Sequence, residues 1–255
     1  MNYNTAHSAV RTPLILLILL AIAVAANAQD YWGKVPAFTT QNYSEKDDFA
    51  NKIHLLKTEI KAKLDKSKQA VEEKASKMTQ QEKMAIATKM QNMSADEIVR
   101  MQNEMMALTT MQAEFQQRSS EFDSQYNQLE NEFREEFGKK LGLIEQEYQK
   151  LPDGEGTPQW AIKKGEELML KYNQEYESLC EKYFTSPDAK FRLWLKQFNT
   201  FLIQHEVPYN NKMLKSQYGQ FGLTVDESVA SLMAIERYLE KCESIAGLRR
   251  PYPQG

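Results

Sequence analysis

The sequence predicts an all-α fold: a long antiparallel coiled-coil hairpin joined to a smaller helical bundle. Apolar residues recur at helical spacing through most of the chain, and no segment alternates with the period of a strand. Residues that break helices are scarce, with 10 Gly and 8 Pro in 255 residues, against the many turns an all-β architecture needs. Charge then narrows the partners. A balance of 32 Lys and Arg against 35 Asp and Glu leaves a net charge of -3, with no basic surplus to condense on a phosphate backbone. Nucleic acid is therefore not expected as a partner.

Residues 1–28 have the form of a secretory signal peptide. A polar start carrying Arg11 precedes 13 apolar residues from Leu14 to Ala26, and Ala26-Asn27-Ala28 is a small-residue cleavage site. That apolar run is short of the roughly 20 residues a membrane-spanning helix needs. Cleavage after Ala28 is expected to leave a secreted protein with no transmembrane segment, placed in the bacterial periplasm or outside the cell, with the periplasm favoured. In such an oxidising compartment Cys180 and Cys242 are candidates for a disulfide. The alternative is a pair of buried thiols acting as small apolar residues.

Residues 29–43 read as an extended N-terminal arm, in which Trp32 and Phe38 are expected to pack. The hairpin follows over 44–151. Its first helix opens at Ser44 and carries Phe49, Ile53, Leu56, Ile60, Leu64, Ser67, Val71, Ala75 and Met78 on one stripe, an 11-residue repeat. Thr79 with Glu82 and Ser94 with Glu97 form two capping boxes at which helices can restart. From Ala95 the pattern becomes heptads, with Met101, Leu108, Phe115, Phe122 and Leu129 in one series and Met105, Gln112, Ser119, Tyr126 and Phe133 in the other. Phe137, Leu141 and Ile144 continue in a frame shifted by a four-residue stutter, beside Gly138 and Gly142. The helix is expected to stop at Leu151-Pro152-Asp153-Gly154.

The two arms match in length. Ala95 to Leu151 is 57 residues, about 85 Å at the helical rise, and Ser44 to Asn92 is 49 residues, about 73 Å. A turn near Asn92 to Ser94 would pair them. From Glu45 to Lys77 nine Lys stand against seven acidic residues, and from Glu121 to Glu147 eight acidic residues stand against three basic ones, so the flanks suit each other in sign.

Residues 152–255 form an aromatic-rich helical base with a short C-terminal tail. Thr157-Pro158 is expected to cap a helix bearing Ala161, Leu168, Tyr172, Tyr176, Leu179 and Tyr183 on one face. A second helix begins at Ser186-Pro187-Asp188, carries Phe191, Trp194, Leu195, Phe198, Phe201 and Leu202, and ends before Val207-Pro208. Residues 209–223 are ambiguous, with Gly219 and Gly222 as turn points and room for one helical turn around Met213. Thr224 with Glu227 is expected to cap a last helix, stopped by Gly247. Twelve aromatics between Trp160 and Phe221 suit a packed core.

Catalytic chemistry has little to stand on. Beyond residue 28 the only histidines are His54 and His205, outside any metal-ligand spacing, and no nucleophile elbow or phosphate loop occurs. The chain is read as no enzyme, with no cofactor and no metal. Methionine is the compositional anomaly, because 8 of 12 fall between Met78 and Met111. Flexible thioether side chains adapt to varied apolar partners. Met90, Met93, Met105 and Met106 are accordingly the candidate protein-binding residues. The alternative is that Met84, Met90, Met101 and Met105 fill the hairpin seam. Copper(I) on Met101, Met105 and Met106 would lack any nearby His or Cys.

In architecture the chain resembles periplasmic helical chaperones of the Skp and Spy types, and its two Met-Thr/Ser-x-x-Glu boxes are similar to the Leu-Thr-x-x-Gln boxes of the Spy type. It lacks the strands of the Skp-type body, and the resemblance carries over no individual residue. It implies chaperone-like holding of unfolded clients through the hairpin, with homo-oligomer formation left open. A structural or adaptor subunit of an envelope or secretion assembly is the alternative, and a helical enzyme with an unrecognised site comes third.

Overall fold

The computed structural model describes residues 32–36, 46–219 and 223–248. The expected signal segment, most of the expected N-terminal arm, the Ser44 cap and the C-terminal tail lie outside the described residues. Helices make up 87% of the described residues and no strand occurs among them, so the all-α class holds. The elements are α1 (Lys46–Lys77), α2 (Gln80–Gln91), α3 (Ala95–Phe137), a π-helical turn (Gly138–Gly142), α4 (Leu143–Tyr148), α5 (Gln159–Cys180), a second π-helical turn (Glu181–Thr185), α6 (Lys190–Phe201), a third (Leu202–Glu206), α7 (Val207–Gly219) and α8 (Ser228–Leu248).

The stripe of α1 folds as its spacing dictates. Phe49, Ile53, Leu56, Ile60 and Val71 are buried, and Leu64, Ser67, Ala75 and Met78 are half-buried. The stutter in the second arm is absorbed by the π turn at Gly138–Gly142, whose extra residue per turn keeps Phe137, Leu141 and Ile144 on the buried side. Both glycines of the loop after α4 that have positive φ, Gly154 at 114° and Gly156 at 89°, adopt a backbone that side chains resist.

Several expectations are corrected. The arm does not stay extended where it is described: Trp32 to Lys34 form a helical turn, closed by Val35 N–H donating to the Trp32 carbonyl, and Pro36 disfavours its continuation. Thr157 does not cap α5, because its hydroxyl donates to the Gly154 carbonyl at 2.7 Å and Pro158 takes the cap position. The helix of α6 does not end before Pro208. It runs through the π turn at Leu202–Glu206 into α7, and that widened turn accommodates a proline lacking its N–H. Asp226 caps α8 through the Ser228 N–H at 2.8 Å, while Glu227 pairs with Lys215 at 2.7 Å. Gly247 does not stop that helix, which continues to Leu248.

The chain forms two compact units interleaved in sequence. One comprises residues 1–35, 55–115 and 202–239, and the other 36–54, 116–201 and 240–255. In the first, Trp32 meets Tyr238 edge-on at 5.5 Å, and Phe115 of α3 stacks on Tyr209 of α7 at 5.2 Å. Arg237 of α8 lies 5.4 Å above the Phe115 ring and donates to buried Glu206 at 2.9 Å. A charge buried this deeply is stable only while paired. Glu206→Gln should lower unfolding free energy in urea by about 3 kcal/mol, at the low end for a broken buried pair because Arg237 keeps some exposure. Replacing Glu206 and Arg237 together by Gln and Met should recover much of that loss.

In the second unit the heptad stripe of α3 finds aromatic partners. Phe122 contacts Trp194, Phe198 and Phe201, Tyr126 contacts Phe191 and Trp194, and Phe133 contacts Tyr183 and Phe184. The acidic flank also turns to the base helices: Glu132 binds Lys190 and Glu136 binds Lys182, both at 2.6 Å, and Asp123 binds Lys241 at 2.7 Å. Tyr183 donates to Glu136 at 2.9 Å beneath the ammonium groups of Lys182 and Lys190. Burial and the neighbouring carboxylates raise the Tyr183 pKa, and burial above all pushes Tyr126 up to about 12.

The same contacts depress two carboxylates. The Lys190 hydrogen bond holds Glu132 below its ordinary value of 4.5. For Glu136 burial works upward, but hydrogen bonds from Lys182 and Tyr183 with the charges of Lys182 and Lys140 carry it below 4.5. The unfolded chain therefore binds protons first as pH falls, so these pairs stabilise the fold fully above the unfolded carboxylate range and lose that effect as pH drops through the folded values. The melting temperature should fall on acidification below about pH 4.5. Glu136→Gln should make that fall shallower and lower the melting temperature at pH 7.

Candidate protein-binding surface

The methionine-rich stretch belongs to the first unit and starts where α1 ends. Two capping boxes set its joints. At the first, Thr79 N–H donates to Glu82 Oε2 at 2.7 Å and Glu82 N–H donates to Thr79 Oγ1 at 3.2 Å. At the second, Ser94 N–H donates to Glu97 Oε2 at 2.8 Å and Glu97 N–H to Ser94 Oγ at 3.3 Å. These backbone donors, with the partner hydroxyls, lower the pKa of both glutamates. Both boxes read from the sequence thus form.

Between and beyond them the apolar side chains stay in solvent. Met84 is 64% exposed, Met90 47%, Met101 40%, Met105 57% and Met106 63%. Ile98 and Val99 are exposed beside them, and α2 has no buried residue at all. The reading in which Met84, Met90, Met101 and Met105 fill a seam is thereby corrected: at these exposures they lie on the surface. The heptad pattern continues here without close burial, since its neighbour α7 leaves space.

That space is shaped into two grooves. One, of about 690 Å³, runs between the start of α3 and α7 and is lined by Met93, Met101, Met105, Leu108 and Met213, with Glu97, Arg100, Glu104 and Lys215 among its polar residues. The other, of about 520 Å³, lies among α1, α2 and the end of α7 and is lined by Val71, Ala75, Met78, Ile86, Ala87, Met90, Tyr218 and Leu223, with Glu72, Lys83 and Gln217. Of the four candidates, Met93 and Met105 thus share a groove, Met90 lines the second, and Met106 lines neither. Sequence reasoning missed Met213 and Tyr218, because Pro208 hid the helix that carries them. It also passed over Ile98, which stands seven residues before Met105 and extends that heptad series, and Val99, which lies next to it.

Charged side chains beside the first groove are engaged within the fold. Lys215 pairs with Glu227 at 2.7 Å, Arg100 faces Glu104 at 3.9 Å, and Glu97 is engaged in its cap. The apolar lining of both grooves can receive apolar side chains. Among the described residues no group of three or more His, Cys, Asp and Glu side chains is placed to hold a metal ion, and no helix is long and apolar enough to cross a membrane.

Cys180 and Cys242 both belong to the second unit, where each is buried at 2% exposure or less. The structure does not join them by a disulfide, and each lies buried in the core as a small, largely apolar side chain. Comparison with protein-family models, with curated proteins and with solved structures finds no match for this chain.

Proposed function

We propose that this is a secreted, periplasmic, non-enzymatic protein that holds unfolded client chains on the methionine surface of α2 and the start of α3. The observation that carries the reading is the exposure of five methionines with Ile98 and Val99 on two consecutive helices. Monomeric proteins seldom leave such a contiguous apolar set in water unless it meets a partner. Methionine is suited to partners without fixed shape, because its unbranched side chain re-packs at little cost. The ion pairs of Lys215 and Arg100 beside the first groove fit the same role, since a paired charge steers a partner only weakly.

The test replaces Met90, Met93, Met105 and Met106 together by Gln, which keeps side-chain length and helix propensity. Three of the four are exposed and Met93 is half-buried, so the melting temperature should move by no more than a few degrees. Suppression of aggregation of reduced, unfolded α-lactalbumin should weaken at least about tenfold, equivalent to about 1.4 kcal/mol of binding. Undiminished suppression would remove these methionines from the client surface. Absence of suppression by the unaltered protein, with one stoichiometric partner recovered from the native envelope, would establish the adaptor role instead.

A further inference from the structure

We propose that α2 is a hinged flap, pivoting at Met78-Thr79 and at Asn92 to Ser94, that opens to bare the apolar side of α1 beneath it. Three things normally fasten a helix to a fold: buried side chains, backbone hydrogen bonds continuous with its neighbours, and a filled interface. All three are weak here. The 12 residues of α2 include none that is buried, and a helix of that length is marginal in water by itself. Tertiary contact is what usually makes up the difference.

The joints are closed off on each side. At the end of α1, Met78 N–H donates back to Ala75; across the joint, Lys83 N–H donates to Thr79 within α2. At the other end, Asn92 N–H donates to Thr88 within α2, and Ile98 N–H donates to Ser94 within α3. Among the described residues, none of these turn and cap bonds crosses either joint. The capping boxes complete the arrangement, because each satisfies the exposed amides of its helix from its own side chains. Rotation at either joint would break neither box.

Beneath the helix, Ile86, Ala87 and Met90 face Val71, Ala75 and Met78 across the open groove of about 520 Å³. A further groove, of about 590 Å³ and distinct from the two already described, opens along Lys74, Lys77, Met78, Glu82, Ala85 and Ile86. Apolar side chains thus confront one another over space they do not fill, and little contact would be lost on opening. That opening is independent of any client. That it enlarges the client surface, by adding Val71, Ala75 and Met78 to the exposed methionines, rests on the function proposed above.

Hydrogen exchange followed by mass spectrometry on the full mature chain, with nothing added, tests the flap directly. Amides 83–91 should be at least about a hundredfold less protected than those at 56–71 of α1 and 126–137 of α3, as expected for a local opening rather than global unfolding. Protection of α2 within about threefold of those segments would overturn the proposal. Ala75→Leu and Ala87→Leu, made together, place two larger side chains in the groove and should raise protection of 83–91 about tenfold while leaving 126–137 unchanged. No rise would also overturn it, since α2 would then not be seated on that groove. With unfolded α-lactalbumin added, fast exchange of α2 that the client leaves unaltered would support the flap and count against the client reading alone.

Discussion

Phe122, Tyr126 and Phe133 project from one stripe of α3 into the rings of α6 and of the π turn that precedes it, and the second unit is organised by that contact. Rings at 5 to 6 Å in tilted and edge-on arrangements fix orientation as well as distance. The polar contacts respect this geometry. Glu132 and Glu136 lie one turn apart beside the stripe, where Lys190 and Lys182 reach them from the helices the rings have already placed. Those ion pairs are surface pairs that add modestly, so they follow the aromatic packing rather than set it.

The two helical arms were legible because a stripe nine positions long is hard to satisfy any other way. All nine predicted core positions of α1 are buried or half-buried, including the polar Ser67. Both capping boxes were legible for a similar reason, since Thr79 or Ser94 followed three residues later by Glu encodes two reciprocal hydrogen bonds. The third such pattern, Thr224 with Glu227, failed because competing groups lay within reach. Asp226 sits closer to the first amides of α8, and Lys215 offers Glu227 a charge.

What the sequence hid was mostly tertiary. Pro208 argues for a helix end on local grounds, and only the π turn before it lets α6 run on into α7. Heptads announce a seam but not its occupant, and rings of the base take up the positions at Phe122, Tyr126 and Phe133. Whether a methionine is core or surface is likewise undetermined by spacing, since Met101 and Met105 hold heptad positions and are nevertheless exposed. Burial depends on what arrives opposite, and α7, the element that arrives there, is the one the proline concealed.

Residue chemistry along α3 changes with what each stretch meets in the structure. Where the stripe carries rings, the contact is specific and rigid, because an aromatic side chain has few rotamers and loses little entropy on being fixed. Where the stripe carries Met101 and Met105, a fixed partner would immobilise three rotatable bonds per side chain at an entropic cost, and a well-packed protein would gain more from Leu or Phe. Methionine there is the worse choice for a permanent core. It is the better choice for the client surface proposed above, because an unbranched thioether side chain re-packs against apolar partners of differing shape.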